Sequence, residues 1–163
     1  MKSTGRKPGL AISLLARLEL LLTPLFGSIR NPFHHLGALV VYFFWIVLVS
    51  GIYLLIFYRT SLAGAFQSVE RLTHDQWFAG GVMRSLHRYA SDAAVLVMGG
   101  HLLREFLRGR FRGVRWYSWF TGVPLLWIVI VFGITGYWMV WDQLAQFVAV
   151  GSAHLLDVLP VFS

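Results

Sequence analysis

The stretch SLHRYASDAAVLVMGGHLL, which runs from Ser85 to Leu103, places two histidines inside an almost continuous apolar segment. His87 and His101 are fourteen residues apart. In an α-helix this spacing is close to four turns, a rise of about 21 Å and a return to within about 40° of the same face. A neutral imidazole is a good axial ligand for haem iron. Two ligands so far apart suit two stacked haems better than one binuclear site, and hydrogen bonding to neighbouring helices is the alternative.

The composition is that of an integral membrane protein. Of the 163 residues 57% are hydrophobic, and the mean hydropathy of +0.66 is far above that of a soluble domain. The chain has no cysteine, which excludes disulfides, thiolate metal sites and thioether attachment of a haem. The net charge of +7 comes from bases that lie between apolar segments. We therefore expect anionic lipid headgroups, and not nucleic acid, as its partners.

Three apolar segments predict transmembrane helices, at residues 33–58, 78–106 and 116–141. Each exceeds the roughly 20 residues that cross the hydrocarbon core, and each has tryptophan or tyrosine at one or both ends. The sequence therefore predicts an all-α membrane protein with one transmembrane domain at residues 31–163.

A shorter apolar run precedes the three spans, at residues 9–27. It carries Arg17 and Glu19 and is broken by Pro24, so we predict an amphipathic helix that lies on the membrane surface within a segment 1–30. A signal peptide is the disfavoured alternative, because no small-residue cleavage site follows the run.

The distribution of basic residues predicts the orientation of the chain. Lysine and arginine are concentrated in the N-terminal segment and in the loop at residues 104–115. The positive-inside rule places both in the cytoplasm. Three spans then put the C-terminus on the outer side, where residues 145–163 are too short and too polar for a fourth span and predict a surface helix.

Glycines repeat the histidine spacing on the other two spans. Gly37 and Gly51 are fourteen residues apart on the first span, and Gly122 and Gly136 are fourteen apart on the third. Glycine lets a bulky planar ring approach the backbone closely. Helix–helix packing also explains small residues, but it does not explain why the glycines share the spacing of the histidines.

Arginines flank both histidines. Arg84 and Arg88 lie on either side of His87, and Arg104 follows His101 by three residues. Each is expected near a membrane face, where a guanidinium can pair with a haem propionate. The alternative is that these side chains extend toward the lipid headgroups.

Together these residues resemble a known family. The motif RSLHR…HLLR, with the two glycine pairs, resembles the N-terminal half of the cytochrome b and cytochrome b6 family. The segment FYRTSLAGAFQSVE is similar to the loop after that family's first helix, and TGVPLLWIVIVFGITGYWMVWDQ is similar to its third. The similarity covers roughly residues 30 to 160.

The resemblance implies a fold and a set of roles. The fold is half of a four-helix bundle that encloses two b haems. His87 binds the outer, low-potential haem, His101 binds the cytoplasmic-side haem, and Arg84, Arg88 and Arg104 meet the propionates. The family passes electrons from quinol across the membrane through these haems. The segment from residue 136 to 143 is implied to form part of the outer quinone pocket, with Tyr137, Val140 and Trp141 as candidates.

The sequence departs from the family pattern in three places. The chain ends before the family's fourth helix, so we expect the second axial ligands to come from a partner subunit, or, less favoured, from a second copy of the chain. His35 stands where the b6 group carries a cysteine that holds an extra haem. His35 could ligate a haem or bind a quinone, although an interfacial histidine is the simpler interpretation. Val140 replaces a proline, and the family's quinol motif belongs to the other half of the protein, so the direction of quinone chemistry stays open.

We therefore expect a dihaem electron-transfer subunit without catalytic residues of its own. Its partners would be a second cytochrome b half, or another membrane subunit with the fourth helix, and a periplasmic Rieske or c-type cytochrome. The expected location is a bacterial cytoplasmic membrane, with a thylakoid as the other possibility. The alternative function is a haem-free membrane anchor or assembly subunit derived from the same family.

Overall fold

The structure is a computed structural model that describes residues 10–61 and 63–158. In these two ranges the regular secondary structure is all helical, and no strand is present. The α-helices are α1 (Leu10–Phe26), α2 (Leu36–Phe57), α3 (Ala65–His74), α4 (Val82–Leu107), α5 (Trp116–Trp138) and α6 (Gln143–Val158). The prediction of an all-α fold is confirmed.

Two of the described helical segments are long and apolar enough to cross a membrane. They are Pro32–Phe57, which contains α2, and Gly113–Trp138, which contains α5. The helix that carries the two histidines, α4, is 26 residues long, but its charged side chains, Arg84, Asp92 and Arg104 among them, lower its hydropathy. The prediction of three spans therefore stays a prediction. A π-helical turn, Trp77–Gly81, precedes α4, which accordingly begins later than the predicted residue 78.

Large apolar side chains of α2 and α5 point outward. Trp45 is 61% exposed and Trp127 is 65% exposed, whereas the buried apolar residues of α4 are Ala90, Ala94 and Met98. A soluble protein rarely exposes contiguous apolar surface on this scale. The pattern is typical of helices that face lipid or other membrane subunits.

A helix is present where the sequence predicted a surface helix near the N-terminus, but Pro24 does not break it. The helix α1 continues through Pro24 to Phe26. Only two helical residues follow the proline, so few hydrogen bonds depend on an uninterrupted backbone there. Gly27 ends the helix with φ of +72° and donates its N–H to the Thr23 carbonyl at 2.8 Å. Residues 1–9 of the predicted segment 1–30 lie outside the described residues.

The predicted C-terminal surface helix corresponds to α6. Its N-terminus is capped by Asp142, whose Oδ1 accepts a hydrogen bond from the Ala145 N–H at 2.7 Å. Residues 159–163 are outside the described part of the chain. The position of α6 on the outer face stays a prediction.

The chain divides into two compact units. The unit within Met1–Phe43 and Ala93–Leu126 contains His101 and is called the His101 unit. The unit within Phe44–Asp92 and Trp127–Ser163 contains His87 and is called the His87 unit. The helices α2, α4 and α5 each contribute residues to both units. Each histidine and glycine with the fourteen-residue spacing lies in one of the two units.

Candidate functional site

In the His87 unit, the imidazole of His87 lies directly against Gly51 of α2. A methyl group built on Gly51 would lie 3.0 Å from His87 Cε1 and 3.4 Å from Nδ1. That is closer than nearly all real contacts of a β-carbon. Because Gly51 has no side chain, the imidazole of His87 can lie against α2, and any larger side chain at this position would push the ring away.

The surroundings of His87 Nδ1 define which ring nitrogen carries the proton. Nδ1 lies 3.0 Å from the Val47 carbonyl and 3.0 Å from Ser50 Oγ. Because a carbonyl only accepts hydrogen bonds, Nδ1 must be the protonated nitrogen that donates. Nε2 is then a free lone pair, and it forms no hydrogen bond with any residue that the structure describes.

This arrangement fits a haem ligand. Histidines that bind metals almost always donate their other N–H to a carbonyl, carboxylate or water, and this bond fixes the tautomer and the orientation of the ring. For His87 the acceptors come from α2, and the nitrogen that can coordinate iron points away from them.

In the His101 unit, the imidazole of His101 lies against Gly37. A methyl group built on Gly37 would lie 3.3 Å from His101 Cε1 and 3.6 Å from Nε2. The Nδ1 atom of His101 is buried and has no hydrogen-bond partner among the described residues. Buried polar atoms without partners are rare. Unlike His87, His101 therefore has no acceptor among these residues that would fix its tautomer.

The other two predicted glycines differ from each other. A methyl group built on Gly122 would meet the Leu102 side chain of α4 at 2.8 Å, while one built on Gly136 would meet nothing within 4 Å. Close approach of α4 and α5 thus depends on Gly122. Trp119 supports it, donating its Nε1–H to the Leu102 carbonyl at 3.2 Å. Whether Gly122 and Gly136 also give space to a haem stays a prediction.

The three predicted arginines have different partners. Arg84 donates to Thr73 Oγ1 at 2.8 Å, and Arg88 is exposed. Arg104 is only 5% exposed and donates its Nε–H to Glu19 Oε1 at 3.1 Å. Of the three, Arg88 therefore has the fewest competing contacts, whereas Arg104 already has an anionic partner in α1.

A charged cluster around Glu19 joins α1 to the end of α4 in the His101 unit. Arg108 donates through Nη2 to both Glu19 carboxylate oxygens, at 2.6 Å for Oε2, and Arg104 donates to Oε1. Burial by itself raises the pKa of Glu19, but the hydrogen bond from Arg104 and the charges of Arg108 and Arg104 outweigh it, so the net pKa lies below its ordinary value. In the sequence, Glu19 stands out only as an interruption of an apolar run. The isolated charge itself was the available signal, since a carboxylate in such a run needs a basic partner.

The candidates for quinone binding lie in two places. Tyr137, Val140 and Trp141 follow one another closely at the end of α5 in the His87 unit, and Trp141 has a left-handed backbone with φ of +56°. Left-handed conformations in bulky residues are strained and are found preferentially at functional sites. Tyr58 holds this turn by donating its hydroxyl to the Met139 carbonyl at 2.7 Å.

His35 lies in a short 3₁₀ turn, Pro32–His35, in the His101 unit. It is exposed, and its Nε2 lies 2.9 Å from the Ile29 carbonyl, so Nε2 is the nitrogen that donates. Its Nδ1 is then the nitrogen that could accept a hydrogen bond or a metal. Among the described residues, no group of three or more histidine, cysteine or carboxylate side chains could hold a metal ion together.

The helical fold and the two histidine–glycine contacts agree with the class that the sequence predicted, the integral membrane b-type cytochromes. The sequence model of the family described as cytochrome b/b6/petB matches residues 23–163, so the chain belongs to the cytochrome b/b6 family. The resemblance seen in the sequence is thereby confirmed.

Individual relatives agree with the family match. Cytochrome b6 of Porphyra purpurea is 37% identical over 131 residues, which cover 80% of this chain and 60% of the relative. Cytochrome b6 of Prochlorothrix hollandica is 34% identical over 131 residues, which cover 80% of this chain and 59% of the relative. The chain thus spans about 60% of the length of these relatives.

Proposed function

We propose that the chain is a dihaem b-type cytochrome subunit that carries electrons across the membrane within a quinol or quinone oxidoreductase complex. His87 would be an axial ligand of one haem b and His101 of the other. The observation that best supports this proposal is the environment of His87. Its Nδ1–H faces two oxygen atoms, and its Nε2 has no partner among the described residues. Gly51 leaves room beside the ring. The paired approach of Gly37 to His101 supports the second site.

The chain's own residues would hold and orient the two groups. A bound haem supplies a one-electron couple, and the protein sets its potential through axial ligands, hydrogen bonds and burial. Gly37 and Gly51 would keep the rings close to α2, and Arg84 and Arg88 would face the propionates of the His87 haem. Gly122 and Gly136 would border the same haems from α5.

The second axial ligands would come from another polypeptide that supplies the fourth helix of the bundle. A second copy of this chain is the less favoured source. We further propose a Rieske protein or c-type cytochrome as the periplasmic partner, because electrons that reach the outer haem need a donor or acceptor there.

The proposed topology has three spans, α2, α4 and α5. Residues 1–30 would lie on the cytoplasmic side of a bacterial cytoplasmic membrane or its thylakoid equivalent, and residues 31–163 would form the transmembrane domain. The helix α6 would lie on the outer surface. An outer quinone pocket would include Tyr137, Val140 and Trp141, and His35 would be the candidate on the opposite side.

A haem-free membrane anchor is the second candidate function. The observation that favours it is Arg104, whose guanidinium is bound to Glu19 instead of being available to a propionate. The Nε2 of His87 favours the haem protein, since its lone pair has no partner among the described residues and is available to coordinate iron.

Haem quantitation distinguishes the two functions. Reduced-minus-oxidised spectra of the purified native complex would be compared with those of His87→Ala, His101→Ala and, as a matched control, His74→Ala, whose imidazole is exposed and pairs only with Glu70. We expect the loss of one b haem in each of the first two variants and of none in the control. An intact complex without a b-type spectrum would instead establish the anchor.

A further inference from the structure

A buried serine touches the proposed haem ligand His87. Ser50 precedes Gly51 on α2, is 1% exposed, and places its Oγ 3.0 Å from His87 Nδ1. Neither the spacing of the histidines nor that of the glycines points to this residue. Its position becomes evident only from the way α2 faces α4 within the His87 unit.

The direction of the hydrogen bond follows from the other contacts of the hydroxyl. Ser50 Oγ also lies within hydrogen-bond distance of the Ile46 carbonyl, to which it donates its single proton. The same oxygen can then only accept from His87 Nδ1. Together with the Val47 carbonyl, Ser50 therefore surrounds the Nδ1–H of His87 with two acceptors.

His101 has no equivalent arrangement. Its Nδ1 is buried and has no partner among the described residues, and on α2 the residue before Gly37 is Leu36, which has no hydroxyl. The two histidines thus differ in the atoms that face Nδ1, although both lie against a glycine of α2.

We propose that Ser50 is a positioning residue that lowers the reduction potential of the haem that His87 would bind. An acceptor on Nδ1–H shifts electron density toward Nε2 and makes the imidazole a more basic ligand. A more basic ligand stabilises the oxidised iron, and hydrogen bonds around the ligands are among the factors that set haem potentials. The inference rests on the proposed function, because it needs a haem on each histidine.

The test is a redox titration of both haems in the assembled complex with Ser50→Ala and Ser50→Thr. Ser50→Ala removes the acceptor and leaves the Val47 carbonyl in place. We expect the equilibrium constant for reduction of the His87 haem to rise by about two- to tenfold, where tenfold corresponds to about 59 mV for a one-electron couple. The His101 haem in the same sample is the internal control and keeps its potential. Ser50→Thr retains the hydroxyl and is expected to restore the original potential.

Each outcome bears on the inference. An unchanged potential of the His87 haem in Ser50→Ala would mean that the Ser50 hydroxyl only bonds to carbonyls of its own helix. A lowered potential would mean that Ser50 donates to His87. Either result would overturn the inference and leave the proposed haem-binding function intact. Absence of b haem from the wild-type complex would overturn the proposed function instead. If Ser50→Ala does not assemble, Ser50→Cys keeps the side-chain volume with a weaker acceptor, and a smaller rise in potential is expected.

Discussion

The His87 unit and the His101 unit share one packing contact but differ in their polar contacts. In both, an imidazole of α4 lies against a glycine of α2. In the His87 unit the histidine is held by neutral acceptors, Val47 and Ser50. In the His101 unit the histidine Nδ1 has no such partner within the described part of the chain, and the ion pairs there include those of Glu19 with Arg104 and Arg108.

The comparison teaches that a shared spacing of residues does not imply equal surroundings. If each histidine binds a haem as proposed, the different hydrogen bonds at Nδ1 would make the two ligands chemically unequal, although both are imidazoles.

The largest expected effect comes from filling the space beside one histidine. Gly51→Val would place a branched side chain where even a methyl group lies 3.0 Å from His87 Cε1. We expect loss of the His87 haem and retention of the other, measured by haem quantitation and by the reduced-minus-oxidised spectrum.

Two matched variants sharpen that result. Gly37→Ala would give a milder defect at His101, because the nearest approach there is 3.3 Å. Gly99→Ala on α4 meets open space and is expected to leave both haems in place. Loss of both haems in Gly51→Val would contradict the assignment of one glycine to one histidine.

The next largest effect concerns the charged contacts of the His101 unit. Glu19→Ala would leave Arg104, which is 5% exposed, with only the longer contact of its Nη1 to Glu105 Oε1 at 3.5 Å. We expect the free energy of unfolding to fall by about 2 kcal/mol, since a buried charge that loses its nearest partner is costly. Thermal denaturation of the purified complex would measure the change.

The matched control for that variant is Glu70→Gln. Glu70 pairs with His74 on α3, and both side chains are largely exposed. An exposed pair contributes at most about 1 kcal/mol, so little change is expected. Equal effects of Glu19→Ala and Glu70→Gln would show that the buried cluster does not stabilise the unit.

The same cluster predicts a dependence of stability on pH. The pKa of Glu19 is lowered in the folded chain below its ordinary value of 4.5. A carboxyl group with a lowered pKa contributes stability that is complete above its unfolded pKa and is lost as the pH falls through the folded pKa. We expect the difference in melting temperature between wild type and Glu19→Gln to be constant near neutral pH and to shrink below about pH 4.5.

A difference in melting temperature that stays the same down to the lowest pH would mean that the carboxylate charge of Glu19 does not stabilise the fold. His34 is the other titratable group near this carboxylate, with Nε2 3.9 Å from Glu19 Oε2. The double variant with His34→Ala would therefore separate the titration of the histidine from that of Glu19.

The smallest expected effect is at a neutral contact of the His87 unit. Tyr58→Phe removes the hydroxyl that donates to the Met139 carbonyl at the end of α5. We expect a loss of about 1 kcal/mol in the free energy of unfolding, typical of a single hydrogen bond. A loss as large as that of Glu19→Ala would contradict the distinction between the charged cluster around Glu19 and a neutral hydrogen bond.

Several elements of this structure were predictable from periodicity. The fourteen-residue spacing put His87 and His101 on one side of a helix. The same spacing singled out Gly37 and Gly51 of α2, although it predicted that they would give space to haems and not that they would contact the imidazoles. The helical class followed from long apolar segments, and α1 and α6 from shorter amphipathic ones. The number of spans depends on α4, whose charges prevent its assignment by hydropathy alone.

Contacts between side chains of different helices were not predictable, because they depend on how each helix is rotated about its axis. Nothing in the residue spacing selects Ser50 as the partner of His87 or Glu19 as the partner of Arg104. The continuation of α1 through Pro24 was also missed, since the end of the helix is determined by Gly27 three residues later.

The central claim is that each histidine of α4 binds its own haem and that the two haems differ in potential. A potentiometric titration of the b haem spectrum in His87→Ala and His101→Ala tests it most directly. We predict that His87→Ala lacks the component of lower potential and that His101→Ala lacks the component of higher potential. If both components persist in either variant, or if both variants lose the same component, the account is wrong.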